Sequence, residues 1–322
     1  MSNSFRTVHD ILDASRRGDS LYSIYQGLEE SKSLRNEQQK NAFEMLFEIL
    51  IPSLTEEQAQ ELASFQIESL EVYATNISSS IAQALSLFNG NKLFLNRLEL
   101  IDEATVKEIA QFKGQSLSLN EVQQVDEATA KALAQFKGSY LSLNGVQQLD
   151  EATAKTLAQF KGKALNLNGV QQIDEATAKA FAKFQGYWLS LNGAKQVDEA
   201  TAKALAQWQG VHLGLNGVKQ LDESTTKALS QWQGDELSLN GVKQIDEATA
   251  KVLAQWQGDW LELNGVKQID EATAKALVQW QGGELYLNGV QQVDEATAKA
   301  LAQFKGEIYA RKEILEQINN FK

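Results

Sequence analysis

The stretch that decides the fold is LSLNGVQQLDEATAKTLAQFKG, residues 141–162. An Asn-Gly pair after an alternating apolar segment is the strongest short-range signal for a β-hairpin. The triplet LNG occurs seven times between residues 143 and 289, always 24 residues apart. These pairs turn hairpins only if a second strand comes directly after each of them.

The residues after each Asn-Gly pair predict a helix. The segment 150–162 consists largely of good helix formers. Asp150 stands where an N-cap belongs, Glu151 suits the positive end of the helix dipole, and Gly162 is placed to end the helix. The apolar stripe of this predicted helix consists of Leu149, Ala152, Leu157 and Phe160.

A helix directly after the turn excludes a hairpin. The LxL segment alternates as a strand does, and it can pair only with the LxL segment of the next unit. Because successive strands then run the same way, the pairing must be parallel. The Asn-Gly pair is the corner at which the strand leaves the sheet. A left-handed backbone is preferred there, although Arg97 and Glu121 replace the glycine in two copies.

The repeat extends over most of the chain. SSSIAQALSLFNG (78–90) matches the helical half of the unit, and TEEQAQELASF (55–65) matches it one residue out of step. We expect about ten strands and eleven helices, stacked into one array because a single unit buries too few apolar side chains to fold alone. Aspartates stand 24 residues apart at Asp102, Asp126, Asp150, Asp174, Asp198, Asp222, Asp246, Asp270 and Asp294.

The unit resembles a leucine-rich repeat over residues 54–306. The resemblance rests on the LxL strands, on a fixed period within the usual range and on a helix in the return leg. Parallel strands lie ~4.8 Å apart, whereas packed helices need ~8–10 Å. We therefore expect a right-handed α/β solenoid with a parallel β-sheet on the concave face and helices on the convex face.

The asparagine position departs from the family pattern. Leucine-rich repeats place an Asn further along the unit, where this sequence has Val146, Val170 and Val218. Here the Asn directly follows the second Leu. We still expect a column of stacked asparagines at Asn120, Asn144, Asn168 and their equivalents, and a column of glutamines at Gln124, Gln148, Gln172 and their equivalents.

Both ends differ from the repeat. Residues 1–53 carry three amphipathic segments and predict a helical N-terminal domain, either a cap or an adaptor. Residues 307–322 predict an amphipathic capping helix in place of the next strand, with an apolar stripe of Ile308, Ile314, Leu315 and Ile318.

Composition excludes several classes of function. The chain has 322 residues, a formal net charge of -12, no cysteine, and only two histidines, His9 and His212. Thiol chemistry is excluded, and we expect no metal and no cofactor. A phosphate backbone would be repelled, so we expect no nucleic-acid partner. Without a signal peptide or a membrane-spanning segment, we expect a cytoplasmic protein with no membrane partner; export without a cleavable signal is the alternative.

The positions that vary between these nearly identical units indicate where a partner binds. They are the two residues before the first Leu and the residue between the Leu pair. By alternation, the residues flanking the first Leu point onto the concave face. Exposed aromatic and acidic side chains there favour a basic or apolar protein or peptide. The candidate partner-binding residues are Tyr140, Tyr187, Trp188, His212, Glu236, Trp260, Glu262, Glu284 and Tyr286.

Other interpretations of the repeat remain. One is a structural protein that self-associates laterally through its uniform convex helix face, and another is carbohydrate binding by Trp188 and Trp260. His212 and Glu236 could form an acid–base couple, but no nucleophile or cofactor accompanies them, so we predict no enzymatic activity. The core is predicted to contain Trp208, Trp232, Trp256 and Trp280, which occupy the Phe position of the unit.

Overall fold

The computed structural model describes residues 54–322, so the predicted helical domain at 1–53 lies outside the described residues. Helices and strands alternate along the described chain. The helices are α1 Glu56–Ala63, α2 Ser79–Ser86, α3 Glu103–Ile109, α4 Glu127–Leu133, α5 Glu151–Leu157, α6 Glu175–Phe181, α7 Glu199–Leu205, α8 Glu223–Leu229, α9 Glu247–Leu253, α10 Glu271–Leu277, α11 Glu295–Leu301 and α12 Lys312–Asn319. The strands are β1 Ser69–Glu71, β2 Lys92–Phe94, β3 Ser116–Ser118, β4 Tyr140–Ser142, β5 Ala164–Asn166, β6 Trp188–Ser190, β7 His212–Gly214, β8 Glu236–Ser238, β9 Trp260–Glu262, β10 Glu284–Tyr286 and β11 Glu307–Tyr309.

All eleven strands form one sheet, and their order across the sheet is their order along the chain. Every neighbouring pair is parallel. Partners in the central strands are 24 residues apart, as Leu141 and Leu165 are. Each leucine between the two outward positions is buried against the helices. The predicted α/β solenoid with strand-to-next-strand pairing is therefore confirmed.

The C-terminal segment corrects one expectation. A helix does not replace the strand after residue 306, because Glu307–Tyr309 pair with β10 and Ile308 occupies the leucine position. The last turn lacks one residue between Gly306 and Glu307, so this strand pairs at a spacing of 23 residues and escapes the 24-residue pattern. The amphipathic helix follows the strand as α12, where it buries Ile314 and Ile318.

The helices begin as predicted and end earlier. Oδ1 of Asp150 accepts a hydrogen bond from the backbone N–H of Thr153 at 2.8 Å, which confirms the N-cap. The helix ends at Leu157, well before Gly162. In this seven-residue helix Thr153 is buried while Ala152 is exposed, so the predicted apolar stripe is wrong at Ala152.

Close packing between coils, rather than a left-handed backbone, requires the glycines. No glycine in residues 54–322 has a positive φ. A Cβ on Gly145 would lie 2.5 Å from the carbonyl oxygen of Asn120 in the preceding coil. A Cβ on Gly162 would overlap the ring of Phe160. The predictions of a left-handed corner and of a glycine that ends the helix are therefore wrong.

The asparagines form a hydrogen-bonded ladder at the corner. Oδ1 of Asn144 accepts from the backbone N–H of Asn168 at 3.0 Å. The same bond links successive coils from Asn96 to Asn288 at 2.8–3.3 Å. Because each Asn directly follows the strand, the ladder extends the pairing of the sheet beyond the strand and confirms the predicted column.

A column of parallel aromatic rings runs through the core from Phe88 to Phe304. Successive ring centroids lie 5.8–6.3 Å apart. The four tryptophans of this column are buried, and each indole Nε1 donates to the backbone carbonyl 24 residues earlier at 2.9–3.1 Å. Their assignment to the core is confirmed.

Candidate partner-binding site

Two rows of side chains cross the sheet on the side opposite the buried leucines; we call this surface the sheet face. The register of the strands makes the residues of each row direct neighbours. From β4 to β11 the first row contains Tyr140, Ala164, Trp188, His212, Glu236, Trp260, Glu284 and Glu307. From β4 to β11 the second row contains Ser142, Asn166, Ser190, Gly214, Ser238, Glu262, Tyr286 and Tyr309.

Three aromatic rings stack across the C-terminal strands of the sheet face. The ring centroids of Trp260 and Tyr286 are 4.7 Å apart, with planes 12° from parallel. Those of Tyr286 and Tyr309 are 4.3 Å apart, with planes 8° from parallel. Each ring restricts the rotamers of its neighbour, so β9–β11 present one rigid aromatic surface of intermediate exposure.

A second aromatic pair lies on β6 and β7. The indole of Trp188 stacks on the imidazole of His212 with centroids 3.6 Å apart. Trp188 remains 43% exposed, whereas His212 is 9% exposed. The expectation that His212 is an accessible side chain of this surface is therefore wrong, because Trp188 covers it. Trp188 Nε1 donates to Ser190 Oγ at 2.6 Å, which fixes the indole.

Neighbouring donors hold the glutamates of the sheet face. Nδ1 of His212 lies 2.9 Å from Oε2 of Glu236. Glu262 accepts from Trp260 Nε1 at 3.3 Å and from Asn240 Nδ2 at 2.6 Å. The carboxylates thus keep one orientation although no lysine or arginine lies on β8–β11.

The tyrosines of the stack stay protonated. Burial raises the pKa of the Tyr286 hydroxyl well above its usual range, and the hydrogen bond that it donates to Glu284, at 2.6 Å, raises the pKa further. The hydrogen bond of Tyr309 to Glu307 raises the pKa of Tyr309 in the same way. Each hydroxyl therefore donates its proton to a glutamate and leaves that carboxylate ionised.

The remaining candidates lie apart from these clusters. Tyr140 on β4 is 48% exposed, and Tyr187, just before β6, is 60% exposed. Ala164 on β5 separates Tyr140 from Trp188 in the first row. The structure thus groups Trp188, His212 and Glu236 with one another, whereas Tyr140 stands alone in the row. Whether any of these residues contacts a partner stays a prediction.

Sequence reasoning missed four residues of this surface: Ser190, Asn240, Glu307 and Tyr309. Glu307 and Tyr309 were hidden by the missing residue before β11. The signal that could have found them is the segment EIY, which continues the pattern of ELY at residues 284–286. Ser190 and Asn240 carry no signal in the sequence, because their role depends on the rotamers of Trp188 and Glu262.

Residues 54–322 contain no group of three His, Asp or Glu side chains that could hold a metal ion. None of the helices in this part of the chain has the length and apolar character that crossing a membrane requires. No family model and no curated protein match the sequence.

The structure itself is similar to solved leucine-rich repeat proteins. It aligns with TLR13 in a complex with a single-stranded RNA at a TM-score of 0.50 and 18% identity, over 77% of this chain and 37% of that one. The fold is that of a leucine-rich repeat solenoid. An internalin from Listeria monocytogenes aligns at a TM-score of 0.45 and 16% identity, over 84% and 88% of the two chains. The Toll–Spatzle complex from Drosophila aligns at 0.48 and 8% identity, over 83% and 44%.

Proposed function

We propose that this protein is a non-enzymatic interaction scaffold that binds a protein or peptide partner on the sheet face of β6–β11. One observation carries the proposal: three stacked rings and four glutamates share β8–β11, and no lysine or arginine lies on these strands. Proteins of the leucine-rich repeat fold generally mediate protein–protein interaction, which supports the same class of function.

The chemistry of this surface favours a basic segment with apolar or aromatic residues. Carboxylates of Glu236, Glu262, Glu284 and Glu307 would pair with lysine or arginine side chains. The rings of Trp260 and Tyr309 would contact apolar groups or the face of a guanidinium. Because stacking and hydrogen bonds already fix these side chains, little conformational entropy would be lost on binding.

Nucleic acid ranks behind protein as a partner. The fold does not exclude it, since a structural neighbour was solved with single-stranded RNA. Here, however, the formal net charge is -12 and the sheet face carries glutamates, which would repel phosphates. A structural role through the helix face and carbohydrate binding by Trp188 are weaker alternatives, and the cytoplasmic location stays a prediction.

The experiment compares ligands on wild-type protein by fluorescence anisotropy. The ligands are basic peptides with interspersed aromatic residues, the same peptides with glutamate in place of lysine and arginine, a single-stranded RNA, and a panel of oligosaccharides. Only the basic peptides are expected to bind. Trp260→Ala/Tyr286→Ala should weaken binding about 10-fold to 30-fold, whereas Gln159→Ala/Gln279→Ala, two exposed positions on the helix side, should not change it. Equal binding by the two variants, or binding of RNA or sugar alone, would overturn the proposal.

A further inference from the structure

A strip of four lysines follows the strands of four consecutive coils. The position lies four residues after the second leucine of the unit, at the corner between strand and helix. It is glutamine in other coils, as at Gln123, Gln147, Gln171 and Gln291. The lysine strip consists of Lys195, Lys219, Lys243 and Lys267, all exposed, in the coils of β6–β9.

The strip reflects a change of place rather than a gain of charge. The coils of Gln123, Gln147 and Gln291 carry a lysine after the core ring instead, at Lys137, Lys161 and Lys305. The four coils of the lysine strip carry glutamine there, at Gln209, Gln233, Gln257 and Gln281. Each coil keeps one lysine of the two positions, but only these four coils place it at the corner.

The strip concentrates positive charge at close spacing. The backbone N–H of Lys267 donates to the carbonyl of Lys243 at 3.4 Å, and that of Lys243 donates to Lys219 at 3.3 Å, so the lysines repeat with the coils. Such spacing, ~5 Å, is shorter than the screening length of about 8 Å at physiological ionic strength. No strip lysine takes part in an ion pair in residues 54–322, whereas Lys203, Lys251 and Lys275 on the helices pair with glutamates of their own helix.

The carboxylates that match this strip lie on the sheet face. The helix-face glutamates alternate with lysines four residues on, and the capping aspartates hold threonine N–H groups. The glutamates without a lysine or arginine on their own strands are Glu236, Glu262, Glu284 and Glu307, one on each of β8–β11. They are equal in number to the strip lysines and repeat with the same coil spacing.

We infer that the lysine strip of one copy docks on the glutamates of the sheet face of a second copy. The inference rests on the proposed function, because it names a second copy as one occupant of the proposed binding face. Two different surfaces meet in such a contact, so each docked copy keeps one free strip and one free sheet face. Association therefore propagates head to tail, and it requires enough salt to screen the long-range repulsion between two acidic chains.

The test uses two full-length variants and their mixture. The first, Lys195→Gln/Lys219→Gln/Lys243→Gln/Lys267→Gln, introduces the residue that other coils carry at this position, so it should fold. The second, Glu236→Gln/Glu262→Gln/Glu284→Gln/Glu307→Gln, keeps oxygen acceptors for the donors of the sheet face. The matched control, Lys203→Gln/Lys227→Gln/Lys251→Gln/Lys275→Gln, removes the same charge from the helices of the same coils.

Analytical ultracentrifugation at physiological salt, from low micromolar to several hundred micromolar, measures the outcome. We expect the wild type and the helix control to grow beyond the 35.6 kDa monomer with concentration, and each of the other two variants alone to remain monomeric. Their equimolar mixture should stop at a dimer, because the intact strip of one meets the intact sheet face of the other and neither can propagate further. A monomeric wild type, or a lysine-strip variant that associates like wild type, would overturn the inference.

The outcomes separate this inference from the proposed function. The lysine-strip variant keeps an intact sheet face, so it should bind basic peptides as wild type does. If the wild type stays monomeric while basic peptides bind the sheet face, the inference fails and the proposed function stands. If copies associate through the strip while no basic peptide binds, the proposed peptide ligand is wrong and the second copy remains as the occupant.

Discussion

The indole of Trp188 stacks on the imidazole of His212, with ring centroids 3.6 Å apart and planes 15° from parallel. On its other side His212 reaches Glu236 with Nδ1 at 2.9 Å from Oε2. Side chains from three adjacent strands therefore form one unit, in which the outer ring is half exposed and the histidine is buried. Such a unit presents a fixed aromatic surface to a partner.

Removing the outer ring should affect stability only modestly. Trp188→Ala loses the ring stack and exposes His212, so we expect the free energy of unfolding to fall by about 1 kcal/mol. Trp188→Phe keeps a ring over the histidine and should recover most of this loss. Urea denaturation followed by far-ultraviolet circular dichroism measures both. A loss that Phe does not reduce would contradict the stacking account.

The ring column in the core should be far more sensitive. Trp232 is fully buried, and its Nε1 donates to the carbonyl of Trp208 at 2.9 Å. Trp232→Ala should cost about 3–5 kcal/mol. Trp232→Phe should cost clearly less, since Phe160 fills the same position in another coil. Denaturant titrations of the two variants give the order, and equal losses would show that the ring itself contributes little.

The asparagine ladder should contribute through one bond at each step. Asn168 Oδ1 accepts from the backbone N–H of Asn192 at 3.1 Å. Asn168→Ala leaves that N–H without this acceptor, so we expect a loss of about 1–3 kcal/mol. Gln148→Ala, at an exposed position of the neighbouring coil, should stay within about 0.5 kcal/mol of wild type. Thermal melts distinguish the two, and similar shifts for both would argue against the ladder.

The capping aspartates should make stability depend on acid. The N–H of Thr153 lowers the pKa of Asp150 below its usual value, and the capping threonine lowers it in the other eight coils. A lowered folded-state pKa adds stability that is complete above the unfolded value of about 3.9 and is lost as the pH falls through the folded value. The free energy of unfolding should therefore be flat near neutral pH and fall in acid.

A substitution separates the charge of these caps from their hydrogen bond. Asparagine is as good an N-cap as aspartate but does not titrate. Asp150→Asn/Asp174→Asn/Asp198→Asn should therefore keep the stability of wild type at pH 7 and weaken its loss in acid. Denaturation measured from pH 7 to pH 2 checks both points. An unchanged acid limb would show that other groups carry it.

The repeat and its capping residues contain most of the fold. Asp150 marks a helix start, and a helix after LNG leaves the strand no antiparallel partner, so the parallel solenoid can be deduced from residues 141–162 alone. The role of Gly145 cannot, because it depends on the distance between two coils. Tyr309 was lost when one missing residue shifted its strand out of period. His212 looked exposed because alternation gives the direction of a side chain but not the ring that covers it.

The most direct test of the account places a photo-crosslinking residue on each side of the solenoid. Benzoylphenylalanine replaces Tyr286 on the sheet face in one protein, and it replaces exposed Gln279 on the helix side of the neighbouring coil in another. After irradiation with the tightest-binding basic peptide, we expect a covalent product from position 286 and none from position 279. A product from position 279 alone would show that the partner binds the helix side, and it would contradict the central claim.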